Sequence, residues 1–211
     1  MEVFEYRGVD GLVIAEVLKD DNEEDGGYVT GPVEPLIPAA EIGKTTETSS
    51  ETKYYDNKPA LVVSGEGPDE ISIIGAGMTL KKKAHITGKS YDETTGALVD
   101  GPRQTRYFAL GYKTQDTDGH TRCVWRYKGT FSIPDENAKT QDNGTETNNT
   151  ELTYTGIMTN HEFTKGKFNG TTWEKAPVKG IVVSDREGLA DLSNFFANVT
   201  TPDDLTAKKA S

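Results

Sequence analysis

Residues 121–133 read Thr-Arg-Cys-Val-Trp-Arg-Tyr-Lys-Gly-Thr-Phe-Ser-Ile, and this stretch decides the fold. Every second position from Cys123 onward is apolar or glycine, and most positions between them are polar. A period of two places alternate side chains on opposite faces of a β-strand. The pattern therefore predicts a strand whose core face carries Trp125, Tyr127 and Phe131.

The segments on either side show the same alternation. Phe108, Leu110 and Tyr112 precede the central strand, and the apolar positions of residues 152–158 follow it. An Asp-Gly pair at the end of residues 116–119 is a strong signal for a tight hairpin turn. The centre of the chain is therefore predicted to be a three-stranded antiparallel meander.

Two helices are predicted outside the meander. Thr79 is suited to be the N-cap of a helix over residues 80–86, which Gly88 would end. Residues 188–198 carry leucine and phenylalanine at spacings of three and four, which is typical of a short amphipathic C-terminal helix. Residues 203–211 are expected to be a flexible tail. The whole chain is predicted to form a single, mainly β domain.

An acidic segment follows the first apolar run. Residues 11–19 are compact and rich in valine and isoleucine, which favours a strand over a short helix. The next segment carries five acids within six residues and then two glycines, so it is expected to be solvated. It either connects two strands of a hairpin or forms a negatively charged surface patch. The acids are Asp20, Asp21, Glu23, Glu24 and Asp25.

Residues 45–66 form a long polar excursion that is predicted to project from the domain as a loop. Its tip contains two adjacent tyrosines, Tyr54 and Tyr55, together with Asp56 and Lys58. Tyrosine is favoured at protein interfaces because it brings a large area with few rotatable bonds. The two tyrosines either contact a neighbouring subunit or pack back onto their own domain.

Composition limits the function. Hydrophobic residues make up 34% of the 211-residue chain, and the formal net charge is −11. An acidic surface repels phosphates, which argues against a DNA- or RNA-binding module. The acidic N-terminus lacks the basic region of a signal peptide, and no run approaches the roughly 18 apolar residues of a membrane span. Cys123 is the only cysteine, so no intrachain disulfide is possible.

No motif indicates an enzyme, a metal site or a cofactor. His85, His120 and His161 are far apart and lack partners at metal-ligand spacing. Residues 43–45 resemble the end of a P-loop, but the first glycine of that motif is missing. Residues 116–119 resemble the start of a calcium loop, but their glycine comes too early. We therefore expect a protein without catalytic residues.

Several segments, taken in chain order, resemble the major tail proteins of long-tailed bacteriophages. The resemblance covers most of residues 7–200 and rests on the ordered series of matches, since no single motif is diagnostic. An Asn- and Thr-rich insert at residues 135–150 departs from the pattern. The matching segments are residues 8–12, 20–38, 91–100, 107–113, 124–134, 138–141 and the surroundings of 195–196.

This resemblance implies a tail-tube fold, which is a two-sheet β-sandwich or barrel-like domain with a flanking α-helix. It implies hexameric rings that stack into a hollow tube of the virion tail, built from chains made in the host bacterial cytoplasm. Residues 45–66 would reach the adjacent ring, and part of the acidic segment would line a channel that conducts DNA without binding it specifically. Tape measure, tail terminator and distal tail proteins would be further partners.

A β-sandwich binding module, such as a carbohydrate-binding or adhesin domain, is the alternative function. It explains the strands and the aromatic residues equally well. It predicts a monomer with Trp125, Trp173 or the tyrosines exposed as a stacking platform. Because the alternation places Trp125 on the core face, the sequence favours the tail-tube interpretation.

Overall fold

The computed structural model describes residues 4–22, 27–134 and 149–208, most of which lie in β-strands. The elements in chain order are β1 (Tyr6–Asp20), β2 (Tyr28–Thr30), β3 (Glu34–Pro35), β4 (Ala39–Tyr55), β5 (Lys58–Gly75), α1 (Leu80–Thr87), β6 (Ser90–Tyr91), β7 (Leu98–Val99), β8 (Phe108–Asp116), β9 (Thr121–Phe131), β10 (Thr150–Ile157), β11 (Glu162–Phe168), β12 (Trp173–Pro177) and β13 (Gly180–Ser184).

Nine strands of the described residues join one antiparallel sheet. Its order is β2-β1-β8-β9-β10-β5-β4, with β3 beside β1 and β13 beside β9. Strand β4, at one end of this order, also contacts β1, so the sheet curls on itself. The predicted meander is confirmed as β8, β9 and β10. The prediction of a mainly β, sandwich-like fold with a flanking helix is also confirmed.

Apolar side chains pack on both faces of the central strands. Strand β9 contributes to two separate clusters, so it is covered on both sides. The first cluster includes Ile14, Ile71, Ile73, Phe108, Leu110, Val124, Phe131, Leu152 and Tyr154. The second cluster consists of Ala15, Ala109, Cys123, Trp125, Tyr127, Phe163, Phe195 and Val199.

Strand β9 contains an extra residue that the sequence pattern did not indicate. From one pairing with β8 to the next, β8 advances by two residues while β9 advances by three. Such a bulge reverses which face later side chains occupy. Trp125 and Tyr127 therefore lie in the second cluster, whereas Phe131 lies in the first. The predicted burial of all three is confirmed, but their placement on one face is wrong for Phe131.

The predicted helix over residues 80–86 is confirmed as α1. The Thr79 hydroxyl accepts a hydrogen bond from the Lys82 backbone N–H at 3.3 Å, which caps the first turn. Gly88 ends the helix in the left-handed conformation, with φ at 70°. Ile86 faces the first cluster. In the described parts of the chain, no helix has the length and apolar character needed to cross a membrane.

Residues 188–198 do not form the predicted C-terminal helix. They form successive turns whose backbone bonds join residues three apart. The Phe195 carbonyl accepts hydrogen bonds from the Trp125 indole and the Thr200 hydroxyl, both at 2.9 Å. These two side chains therefore occupy a carbonyl that would accept a backbone hydrogen bond in a helix. The apolar periodicity still identified residues that face the second cluster.

The predicted flexible tail is wrong for residues 203–208, which are fixed to the domain. The Asp203 carboxylate accepts hydrogen bonds from two backbone N–H groups of β11, each at 2.9 Å. The Lys208 backbone N–H donates to the Leu189 carbonyl at 2.8 Å. Residues 209–211 lie outside the described part of the chain, as do residues 135–148 of the unexpected insert.

Candidate assembly interface

Strands β4 and β5 extend far beyond the sheet as a two-stranded ribbon. Strand β10 pairs with β5 only from Asp69 to Gly75, whereas β4 and β5 stay paired out to Tyr55 and Lys58. We call residues 48–66 the ribbon. Eight residues on one side, at about 3.3 Å each, give it a length of about 26 Å. The predicted projection is present, but it is a β-hairpin with one irregularity near its tip, between Lys53 and Tyr54, and not a loop.

The ribbon ends in a tight turn that collects all four predicted contact residues. Tyr55 pairs with Lys58, and Asp56 and Asn57 form the turn between them with φ values of 49° and 61°. Two successive left-handed residues give the twist that suits a two-residue hairpin loop. Tyr54 and Tyr55 are each 65% exposed, so they do not pack back onto the domain.

The ribbon carries exposed apolar side chains on both of its faces. Leu61 and Val63 alternate with Val62 along β5, so Val62 points to the opposite face. All three are exposed, and Val62 is 62% exposed. No other strand of the described residues pairs with the ribbon or covers it. An isolated two-stranded hairpin is only marginally stable in water. Because the apolar side chains of this ribbon are exposed, the ribbon is suited to be stabilised by contact with another protein.

The buried Asp69 carboxylate holds the base of the ribbon. Lys44 Nζ and Lys179 Nζ lie 3.2 Å from it, and the Thr46 hydroxyl donates a hydrogen bond at 2.9 Å. Burial alone would raise the pKa of Asp69, but these hydrogen bonds outweigh it and lower the pKa below its usual value. Lys179 also pairs with Glu66 at 2.7 Å. The ribbon is therefore anchored by charge at its base and unsupported along its length.

Asp20 does not belong to an acidic surface patch, so that prediction is wrong for this residue. Its side chain is 6% exposed and pairs at 2.5 Å with Lys128, whose side chain is 9% exposed. It also accepts backbone hydrogen bonds from Asn160 and His161 at 2.9 Å. Burial would raise the pKa of Asp20, but the bonds from Lys128, Asn160 and His161 lower it. The carboxylate therefore joins β1 to β9 and to the residues before β11.

The remaining members of the predicted patch stay untested. Asp21 is partly exposed and lies 3.6 Å from Lys19 Nζ. Glu23, Glu24 and Asp25 lie outside the described residues.

A second exposed hairpin, formed by β11 and β12, was missed by the sequence reasoning. Phe168 and Trp173 are cross-strand partners whose ring centroids lie 5.2 Å apart, and they are 53% and 55% exposed. The Asn169-Gly170 pair between two β-prone runs was the available signal, because Asn-Gly favours hairpin turns. We call residues 162–177 the aromatic hairpin.

Within the described residues, no group of three or more histidine, cysteine, aspartate or glutamate side chains is arranged to hold a metal ion. No family model and no curated protein matches the chain. Function is therefore inferred from the geometry and from the resemblance of the sequence.

Proposed function

We propose that this chain is the major subunit of a bacteriophage tail tube, in which rings of identical copies stack around a channel for DNA. The observation that supports this most directly is the ribbon. It is long and carries exposed apolar side chains on both faces, and no described part of its own chain covers it. A surface of this kind is expected to contact another protein.

A second copy of the same chain is a suitable partner because ribbon and body are different surfaces. A contact between two different surfaces of identical subunits is head-to-tail, and it generates closed rings or open stacks depending on the rotation. Among the described residues, β4 pairs only with β5, so the part of its outer edge that β1 does not contact is a second surface that neighbouring copies could cover.

The charge of the chain is compatible with a DNA channel. At a net charge of −11, copies arranged around a channel would repel phosphates over roughly 8 Å at physiological salt. A basic channel would hold DNA through counterion release. Asp20 is excluded from this role because it is buried and paired. Asp21 and the acids that follow it remain the proposed contributors.

Shortening the ribbon tests the proposal. Ser49 and Gly65 are paired, so replacing residues 50–64 by Asn-Gly would close the hairpin at that level and keep the register. The purified protein is expected to form rings or tubes in negative-stain electron micrographs. The shortened variant is expected to stay folded, with a β-sheet circular dichroism spectrum and a cooperative thermal transition, but to form no tubes.

A matched control separates a specific effect from a general loss of apolar surface. Leu189 is 74% exposed and lies outside the ribbon, so Leu189→Ser removes a comparable side chain elsewhere. This variant should assemble normally. Uniform monomers of the unaltered protein at every concentration, or normal tubes from the shortened variant, would contradict the proposal.

A carbohydrate-binding or adhesin module is the second candidate, and the exposed pair Phe168 and Trp173 favours it. Sugar rings stack on exposed aromatic faces, although Trp125 and the other large central aromatics are buried. This function predicts a monomer whose binding to a glycan array is lost in Trp173→Ser. Light scattering of the unaltered protein distinguishes this candidate from the first, because only a tube subunit is expected to assemble.

A further inference from the structure

Strand β13 has one edge with which no described strand pairs. It pairs with β9 from Gly180 to Ser184 in a single register, and β9 is its only partner among the described strands. Strand β10 uses the same side of β9 but its pairing stops at Ile157, and β13 takes its place from there. Strand β5 continues the sheet beyond β10, but the ribbon leaves the sheet at this level and does not pair with β13. The outer edge of β13 is therefore open.

The open edge presents unused backbone groups at every second residue. The Lys179 carbonyl accepts a hydrogen bond from the Tyr127 N–H at 2.9 Å. Six residues later, the Asp185 N–H donates to the Thr121 carbonyl at 3.0 Å. The odd-numbered residues from 179 to 185 thus bond to β9, and in an antiparallel pair the residues between them direct their N–H and C=O groups away from the partner. The outward-directed residues are Gly180, Val182 and Ser184.

Strand β13 also lacks the features that normally protect a sheet edge. Its five residues, Gly-Ile-Val-Val-Ser, include no charge and no proline, and no bulge turns them away. Val182 is 47% exposed on one face, whereas Ile181 and Val183 pack against the second cluster. Proteins usually block such edges, because an open edge attracts a further strand. This edge is therefore suited to receive an extended segment through main-chain hydrogen bonds.

The ribbon contains a free strand of matching length. Its β4 strand faces away from the body, because β5 lies between β4 and β10 in the sheet order. From Thr48 to Lys53 this strand pairs with β5 in one register, which gives six regular residues against the five of β13. Thr48, Ser49 and Ser50 are uncharged and exposed, so no charge at this level opposes the approach of the uncharged β13.

The other free edges of the described strands are less suitable. Strands β2, β3, β6 and β7 have three residues or fewer. Strand β12 ends at Pro177, and the Asp203 carboxylate takes two backbone N–H groups of β11. The start of β1 is irregular, because Gly8 and Gly11 have positive φ values and two register shifts lie there. Pairing of β13 with itself would close a two-fold dimer and leave the ribbon uncovered.

We propose that β13 of one copy pairs with the β4 strand of the ribbon of a second copy, so that the sheet continues across the boundary between subunits. This inference rests on the proposed function, since it names the surface of the neighbouring copy on which the ribbon binds. The contact is head-to-tail, because its two edges belong to different parts of the chain. Repeating the contact links each copy to the next.

Val182→Pro tests the edge without removing a bond to β9. Proline deletes the outward N–H of residue 182 and places its ring where the added strand would lie, whereas the residues on either side make the bonds to β9. The variant is expected to keep a cooperative thermal transition but to raise the protein concentration at which assembly begins by about tenfold. Val182→Ala is the matched control, because it removes the side chain and keeps the N–H. It should assemble within about threefold of the unaltered protein.

Disulfide trapping identifies the partner strand and does not depend on the proline variant. Val182→Cys is combined in turn with one cysteine at each of the ribbon positions 48–52, all of which are exposed, while Cys123 is buried. Because the side chains of a strand alternate between its two faces, oxidised assemblies are expected to form covalent multimers at alternate ribbon positions and not at those between them. The control Ser50→Cys/Leu189→Cys, which moves the second thiol away from β13, is expected to remain uncross-linked.

The outcomes separate this inference from the proposed function. If the unaltered protein forms tubes but no cysteine pair cross-links, or a folded Val182→Pro assembles normally, the inference is overturned and the proposed function stands. If Val182→Pro does not fold, the cysteine pairs decide. Covalent dimers of the single variant Val182→Cys would show that β13 pairs with itself, which also overturns the inference. If the unaltered protein never assembles, both proposals fail.

Discussion

Replacing Asp20 by asparagine is expected to destabilise the whole domain, although the sequence predicts that Asp20 lies in a solvated acidic segment. The asparagine side chain keeps the shape and one acceptor oxygen, so the backbone N–H groups of Asn160 and His161 retain a partner. The negative charge beside Lys128 is lost. A lysine whose side chain is 9% exposed would then lie buried without its counter-ion.

The magnitude follows from the burial of this pair. Removing one partner of a buried ion pair costs about 3–5 kcal/mol, because the remaining charge is left uncompensated. The lower end applies, since asparagine preserves some hydrogen bonds, so we expect a loss of about 3 kcal/mol in the free energy of unfolding. With a urea dependence of about 2 kcal/mol per molar, the unfolding midpoint should fall by about 1.5 M.

Urea unfolding followed by tryptophan fluorescence measures this shift. Asp21→Asn is the matched control, because Asp21 is partly exposed and its ion pair with Lys19 should contribute less than about 1 kcal/mol. The double variant Asp20→Asn/Lys128→Met removes the orphaned cation and should recover about half of the loss. A midpoint of Asp20→Asn within 0.2 M of the unaltered protein, about 0.4 kcal/mol, would refute the burial argument.

Three further predictions concern the acids, one glycine and the cysteine. Burial would raise the pKa values of Asp69 and Asp116, but hydrogen bonds lower both, chiefly from the Thr46 hydroxyl and two lysines at Asp69 and from Arg186 and backbone N–H groups at Asp116. Their contribution to stability is therefore present above about pH 4 and is lost as the pH falls through the lowered pKa values, so urea midpoints should decrease between pH 5 and pH 2. Gly129→Ala should lower the free energy of unfolding by about 3 kcal/mol, because its Cβ would come within 2.3 Å of a buried tyrosine ring, whereas Gly77→Ala, with open space around it, should change thermal stability little. Burial raises the pKa of the Cys123 thiol, so a thiol reagent at pH 8 should label it at least about a hundredfold more slowly in the native protein than in urea.

Local signals were enough to predict the centre of the fold. The meander was recognisable because each of its strands carries a strict alternation, and because an Asp-Gly turn fixes how the first two strands pair. The helix was recognisable because Thr79 and Gly88 satisfy the orphan backbone groups at its two ends. These features depend on residues that are neighbours in sequence.

The errors arose where distant residues decide the conformation. The bulge in β9 depends on how that strand meets β8, so the pattern of β9 alone placed Phe131 on the wrong face. Residues 188–198 have a helical apolar spacing, but the Trp125 indole takes the Phe195 carbonyl that a helix would use. Asp20 belongs by composition to an acidic loop, yet Lys128, far along the chain, buries it.

The energetics of the ribbon explain why assembly would require several contacts at once. Fully burying an aliphatic side chain contributes about 1.5–3 kcal/mol, and Leu61, Val62 and Val63 are already about half covered. Covering the rest of these three, together with Tyr54 and Tyr55, would gain roughly 5 kcal/mol.

Association of two free copies costs about 4–15 kcal/mol in lost translational and rotational freedom. One ribbon contact would therefore offset this cost only at the lower end of the range, and would not by itself hold two copies together. In a ring stacked on another ring, however, each further contact forms within an assembly that has already lost this freedom, so its full favourable energy is retained. A projecting ribbon that is weak by itself is thus consistent with a subunit that is soluble alone and stable in a repeating tube.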